Sequence, residues 1–136
     1  MSLLIENLKK NIQLCYMKIL LTSSIIMLAL DSVFLYLITP LFKRQIKAVQ
    51  KSPLELNITG TIISYLFLIL GLNYFILKDN KSVMDAYILG LVIYGVYEGT
   101  SMALLKDWRL ETLLLDTLWG GVLFAGTTYL TYSLYK

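Results

Sequence analysis

Four apolar stretches, each long enough to cross a lipid bilayer, constrain this chain more than any other feature of its sequence. They run over about residues 19–41, 56–77, 83–105 and 111–132. A helix needs about 20 such residues to span a hydrocarbon core about 30 Å thick. Only 15% of the residues are charged, against about 25% in soluble domains, so most of the exterior must face lipid. Short hydrophilic turns at 78–82 and 106–110 favour antiparallel neighbours. We therefore predict an all-α polytopic membrane protein with four transmembrane helices in an antiparallel bundle.

The first sixteen residues form a separate feature of this prediction. Apolar side chains recur there at helical spacing: Leu4, Leu8, Ile12 and Cys15. This pattern is typical of a short helix that lies in the membrane interface, and a solvated tail is the alternative. We expect an N-terminal amphipathic arm over residues 1–16 joined to a single membrane domain over residues 17–136. The first span contains Asp31 and lacks a small-residue cleavage site, so we expect no cleaved signal peptide.

A basic connector follows the first span. Phe42, Ile46 and Val49 share one helical face, and four basic side chains fall mostly off that face: Lys43, Arg44, Lys47 and Lys51. This arrangement indicates an amphipathic helix whose cations contact lipid headgroups. A solvated basic face is the alternative.

Three acidic side chains stand inside apolar runs, where a carboxylate needs a partner, a proton or a function. Counted from the side that holds the N-terminus, Asp31 lies about 18 Å deep, and Glu98 and Asp116 lie about 22 Å deep. Because these depths nearly agree, we predict that the three acids meet in one layer of the bundle. Carboxylates so close in a medium of low dielectric cannot all be ionised, and we expect at least one to be protonated.

This layer is the predicted ion- or proton-binding site. Helical phase and depth place several side chains beside the acids as supporting residues: Ser64, Tyr65, Tyr94, Tyr97, Thr100, Ser101 and Trp119. No Lys or Arg lies inside a span to neutralise the acids. The alternative is that protonated acids and hydroxyl groups only hold the helices together.

Asp85 differs from these three acids, because it lies in the first turn of its span, where negative charge stabilises a helix. We therefore expect its role to be structural.

Small residues predict where helices pack closely. The positions are Gly60, Gly95, Gly99, Gly120 and Gly121. Gly95 and Gly99 form a small-xxx-small pair that encloses Glu98.

Three short motifs accompany the acids. They are Leu30-Asp31-Ser-Val-Phe34, Tyr97-Glu98-Gly-Thr100-Ser101 and Asp116-Thr-Leu-Trp119-Gly120. From about Met17 onwards the chain thereby resembles a domain-of-unknown-function family of small, mostly bacterial, predicted membrane proteins. That family's pattern has Asp and Asn at the positions of Glu98 and Ser101, so this chain lengthens one acid and removes an amide. The resemblance implies four helices and a membrane location, and it implies no established activity.

Three classes of function are compatible with these residues. The leading hypothesis is that the Asp31–Glu98–Asp116 layer binds protons or a small cation for permeation or coupled transport. The second is a structural component of a larger membrane assembly or envelope. The third is an enzyme that modifies lipid within the bilayer, since paired acids serve as general acid and base. No Ser, Cys or His arrangement supports a nucleophile, so we assign no catalytic residue.

Composition limits ligands and partners. The chain has no histidine and one cysteine, so we predict no metal site of these ligands and no cofactor. The net charge of +3 is spread along the chain, which does not suit nucleic acid. The expected partners are the lipid bilayer and, because four helices are few for a transporter, further copies or a larger assembly. The 12 basic residues divide equally between the two sides, so they predict no orientation.

Overall fold

A computed structural model shows residues 1–135 as a chain of helices. They are α1 (Ser2–Gln50), α2 (Ile58–Leu72) with a π-helical continuation (Asn73–Leu77), α3 (Val83–Leu104) and α4 (Leu110–Tyr135). Within residues 1–135, four helices are long and apolar enough to span a membrane, α2 together with its π-helical turn counting as one. The predicted all-α, four-helix membrane architecture is confirmed.

The N-terminal residues continue the first span as a single helix, and the location of the arm over residues 1–16 in the membrane interface stays a prediction. α1 runs unbroken for 49 residues, which corresponds to about 73 Å, more than twice the thickness of the hydrocarbon core. Residues 2–18 are exposed along this helix and extend it beyond the bundle. No Gly or Pro precedes Pro40, so nothing in the sequence ends a helix between the arm and the first span.

The basic connector forms the last turns of the same helix. α1 ends where Lys51 adopts a left-handed conformation with φ of 62°. Lys43, Arg44 and Lys47 point outward and are exposed, while Gln45 between them is buried. Nζ of Lys51 lies 3.8 Å from Asp107, an exposed ion pair of little energetic weight. The contact with lipid headgroups stays a prediction.

α3 and α4 contact each other more extensively than any other pair of helices in the bundle. They cross where Gly90 lies against Gly120 and Gly121, because a Cβ atom at Gly90 would lie 2.1 Å from the Gly120 carbonyl oxygen. α3 begins with a reciprocal cap in which the Asp85 amide donates to the Ser82 hydroxyl at 3.0 Å and the Ser82 amide donates to the Asp85 carboxylate at 3.3 Å. The structural role expected for Asp85 is confirmed.

The interior of the bundle contains an apolar part and a separate polar part. The apolar part lies in the middle of the bundle and toward the 78–82 turn. It consists of Met27, Leu72, Ile76, Leu77, Ala86, Leu123 and Phe124. Buried hydroxyl side chains accompany the apolar part on α1 and α4, namely Ser23, Thr127, Thr128 and Thr131. The polar part lies toward the opposite end, beside the turn at 105–109, and it contains Glu98 and Asp116, both buried. α1 packs along α4 and more loosely along α2, which brings Asp31 to the boundary between the two parts.

Candidate functional site

Asp31 accepts hydrogen bonds from two aromatic side chains. The Tyr65 hydroxyl of α2 donates to Oδ2, and Nε1 of Trp119 on α4 donates to Oδ1 at 2.9 Å. The ring of Phe34, one turn further along α1, stacks on that of Trp119 with centroids 4.4 Å apart and an interplanar angle of 8°. Asp31 is 6% exposed. Three helices therefore meet at one carboxyl group, and both of its oxygens have donors.

Glu98 on α3 is fully buried and only partly hydrogen-bonded. Nε1 of Trp108 donates to Oε2 at 2.8 Å. No donor within residues 1–135 reaches Oε1, which is shielded from the surface. Trp108 belongs to the turn between α3 and α4, and its indole folds back into the bundle with only 8% of its surface exposed. The indole therefore covers Glu98 from the 105–109 end.

Asp116 on α4 is 7% exposed and adjoins Glu98. Their two carboxyl groups are in a position to share a hydrogen bond. Such a bond requires that one of them carry a proton, because an ionised carboxylate only accepts hydrogen bonds. Asp116 also lines a cavity of about 390 Å³ together with side chains of α2 and α3. It is thus in contact both with a second acid and with an accessible space.

The three acids form two neighbouring groups. Glu98 and Asp116 are adjacent, while Asp31 interacts with Asp116 only electrostatically. Tyr94 lines the same cavity as Asp116 and is close enough to Asp31 and Asp116 for electrostatic interaction with both. In the part of the chain that the structure describes, no three acidic, Cys or His side chains are arranged to hold a metal ion. The three predicted acids are all buried, and their role in ion or proton binding stays a prediction.

The predicted supporting residues divide by position. Tyr65 and Trp119 contact Asp31. Three others line the cavity beside Asp116, namely Ser64, Tyr94 and Tyr97. Ser101 is half-buried near Tyr97, and Thr100 is exposed on the outer face of α3. Thr100 thus lies away from the acids.

The predicted packing glycines divide in the same way. Gly120 and Gly121 lie under the rings of Tyr94 and Tyr87, which leave no space for a Cβ atom. Gly95 faces Thr117 at ordinary van der Waals distance. A Cβ atom at Gly60 would meet only Asn57, and one at Gly99 would meet nothing within 4 Å. Gly60 and Gly99 therefore do not mediate close packing within the chain, whereas Gly90, which sequence reasoning did not select, does.

Sequence reasoning also missed a buried amide, Gln45, which fixes the turn above the site. Its Nε2 donates to the Asp107 carbonyl at 2.9 Å, and its Oε1 accepts from the Arg109 amide at 3.0 Å and from the Thr112 hydroxyl at 2.9 Å. The residue is 1% exposed. These bonds tie α1 to the start of α4 and hold the turn that carries Trp108. A polar residue among lysines is expected to lie on the surface. The sequence around Gln45 therefore gave no indication that this side chain is buried.

The fold and these contacts define a class of protein. The chain is a small multi-pass integral membrane protein whose interior holds acidic side chains from three helices. It belongs to the family described as predicted membrane protein (DUF2177), whose model matches residues 16–133. The family resemblance drawn from the three motifs is thereby confirmed. No curated protein and no solved structure matches the chain.

Proposed function

We propose that this membrane protein binds protons at the Glu98–Asp116 pair and thereby serves proton permeation or proton-coupled transport. The observation that supports this proposal best is the unpaired Oε1 of fully buried Glu98 in a carboxyl group that adjoins that of Asp116. Two adjacent carboxylates in low dielectric repel each other, and one shared proton relieves the repulsion. The pair then carries one proton and one negative charge.

The environment of Asp31 gives it a different role. Donors from Tyr65 and Trp119 occupy both of its oxygens, and such donors stabilise an ionised carboxylate. Asp31 therefore serves as a fixed negative charge beside the pair. Buried acidic groups in membrane proteins commonly mark proton or ion pathways. A proton that enters the pair is attracted by this charge.

The ligand set favours a proton over a bare metal cation. Ca²⁺ requires six to eight oxygen ligands and Mg²⁺ requires a near-ideal octahedron. Glu98 and Asp116 supply only two adjacent carboxyl groups, one of whose oxygens is already bonded to Trp108. A proton needs only the two facing oxygens.

Proton flux tests this proposal. The purified protein is reconstituted into liposomes that contain a pH-sensitive dye, and an imposed pH gradient is followed over time. Asp116→Asn and Glu98→Gln are expected to reduce protein-dependent flux at least tenfold. Glu111→Gln is the matched control, because Glu111 is an exposed acid on the same helix as Asp116, and it is expected to leave the flux unchanged. Wild-type flux no greater than that of empty liposomes would refute the proposal.

A second candidate, a role in a membrane assembly, has one observation in its favour. The first turns of α1, residues 2–18, are exposed and contain apolar side chains such as Leu8 and Ile12. An amphipathic helix that extends beyond its own bundle and exposes apolar side chains is suited to contact with another protein chain. Light scattering on the purified protein, with and without residues 2–15, measures this contribution. An unchanged mass that corresponds to one chain would contradict it.

A further inference from the structure

The cavity beside Asp116 is a cleft between α2 and α3. Its volume is about 390 Å³, within the range of about 300–1,000 Å³ that is typical of ligand pockets. Two of its lining residues, Ile63 and Phe67, are 49% and 69% exposed on the outer surface of the bundle. In a membrane this surface faces the acyl chains, so the cavity is reached from the hydrocarbon. Asp116, 7% exposed, forms its inner wall.

The lining combines one acid, Asp116, and the hydroxyl group of Ser64 with apolar and aromatic groups. Ile63, Leu68 and Ile93 provide aliphatic surface. Aromatic rings come from Phe67, Tyr94 and Tyr97. In the part of the chain that the structure describes, no Lys or Arg takes part in the lining. A carboxylate attracts a cation, and aromatic faces attract cations as well, most strongly where water is excluded.

We propose that this cavity binds an organic cation, an ammonium group on a compact apolar body, which enters from the hydrocarbon and pairs with Asp116. The apolar body contacts the aliphatic and aromatic walls, and the ammonium group lies at the carboxyl group. This inference rests on the proposed function, because the cation and the proton use the same Asp116 carboxyl group. Exchange of one for the other at Asp116 would couple proton movement to movement of the cation.

The same lining argues against other occupants. A phospholipid headgroup carries a phosphate, which the Asp116 carboxylate repels, and no basic side chain of residues 1–135 lines the cavity to neutralise it. A metal ion needs more oxygen ligands than two carboxyl groups supply, and within residues 1–135 no three acidic, Cys or His side chains are grouped to hold one. An acyl chain makes no favourable interaction with the buried Asp116 carboxyl group. It therefore does not offset the cost of burying that acid in the membrane. An organic cation, by contrast, uses both the acid and the apolar walls.

A pair of isosteric probes tests the proposal. Radiolabelled benzyltrimethylammonium is titrated against the purified protein in phosphatidylcholine nanodiscs, and neopentylbenzene, which replaces the nitrogen by carbon, serves as the competitor without charge. We expect saturable binding of the cation and at least tenfold weaker competition by the neutral isostere. Asp116→Asn is expected to weaken binding of the cation at least tenfold. Equal affinity for both compounds would overturn the proposal and identify an apolar lipid pocket.

Two adjacent isoleucines provide a matched steric test. Ile63 lines the cavity and Ile62 does not, although both are about half exposed on α2. Ile63→Trp is expected to abolish binding of the cation while proton flux in liposomes persists, and Ile62→Trp is expected to leave both unchanged. Loss of binding in both variants, or in neither, would overturn the cavity assignment.

The outcomes of the two assays separate the two proposals. Proton flux without saturable binding of benzyltrimethylammonium would overturn the cation site and leave the proton proposal intact. Binding that depends on Asp116 in a protein without proton flux would overturn proton transport and leave the cation site intact. Binding that survives Asp116→Asn at full affinity would overturn the assignment of Asp116 as the counter-ion.

Discussion

The close approach of the α3 and α4 backbones at Gly90 leads to a prediction in which one added methyl group has a large effect. In Gly90→Ala, the added Cβ would lie 2.1 Å from the carbonyl oxygen and 2.7 Å from the carbonyl carbon of Gly120. Folded proteins essentially never place a Cβ closer than 3.0 Å to another atom, so α3 must move away from α4 by nearly 1 Å. A gap of that size forfeits about a quarter to a half of each van der Waals contact along the interface. Overpacking against rigid backbone costs about 3 kcal/mol, the upper end of the usual range.

Gly99→Ala is the matched control for this change. It makes the same substitution on the same helix, and its Cβ meets nothing within 4 Å. Both variants gain about 1 kcal/mol of helix propensity, so their difference isolates the packing cost. We expect Gly90→Ala to be less stable than Gly99→Ala by about 3 kcal/mol.

Unfolding in mixed micelles of increasing SDS content, followed by tryptophan fluorescence, measures this difference. The two tryptophans, Trp108 and Trp119, both hydrogen-bond to buried acids and therefore report on the interior. If Gly90→Ala were as stable as Gly99→Ala, the contact between α3 and α4 at this crossing would not exist, and the approach of Glu98 to Asp116 across the same interface would lose its basis.

Two further substitutions test the contacts at the 105–109 end of the site. Gln45→Ala leaves the buried Thr112 hydroxyl, the Arg109 amide and the Asp107 carbonyl without their partner, and we expect it to cost about 3 kcal/mol. Hydrogen exchange at the Arg109 amide should accelerate, whereas exposed Gln50→Ala should have no effect on it, and unchanged exchange would contradict the role of Gln45. Trp108→Phe removes the hydrogen-bond donor to Glu98 and is expected to lower the free energy of unfolding by about 2 kcal/mol. A double-mutant cycle with Glu98→Gln measures the interaction. A coupling energy near zero would show that the two side chains do not interact.

The sequence alone was sufficient for the number and type of the helices and for the burial of the acids. Hydrophobic length determines which segments span a bilayer, and it is a local property. The cost of a carboxylate in hydrocarbon is also independent of the fold, so Asp31, Glu98 and Asp116 had to face the interior whatever the arrangement of the helices. All three are buried for this reason.

The length of the first helix was harder to predict from the sequence. A span and an amphipathic arm look like two elements when only hydrophobicity is considered, but nothing between them ends a helix. Hydrophobic pattern indicates where a helix lies with respect to lipid, and helix-terminating residues determine where it stops. The absence of Gly and Pro before Pro40 was the relevant signal for α1.

Only the tertiary structure determined which side chains contact each acid and which glycines lie in helix–helix interfaces. Small residues occur on several faces of a helix, and only the rotation of α3 against α4 places Gly90 in the interface and leaves Gly99 facing open space. The same rotation brings Glu98 to Asp116, while the fold of the 105–109 turn, fixed by Gln45, brings Trp108 inside. These contacts join residues far apart in the chain or depend on the path of a turn. Local spacing does not encode them, because many helix rotations satisfy the same hydrophobic pattern and only the packing of all four helices selects one.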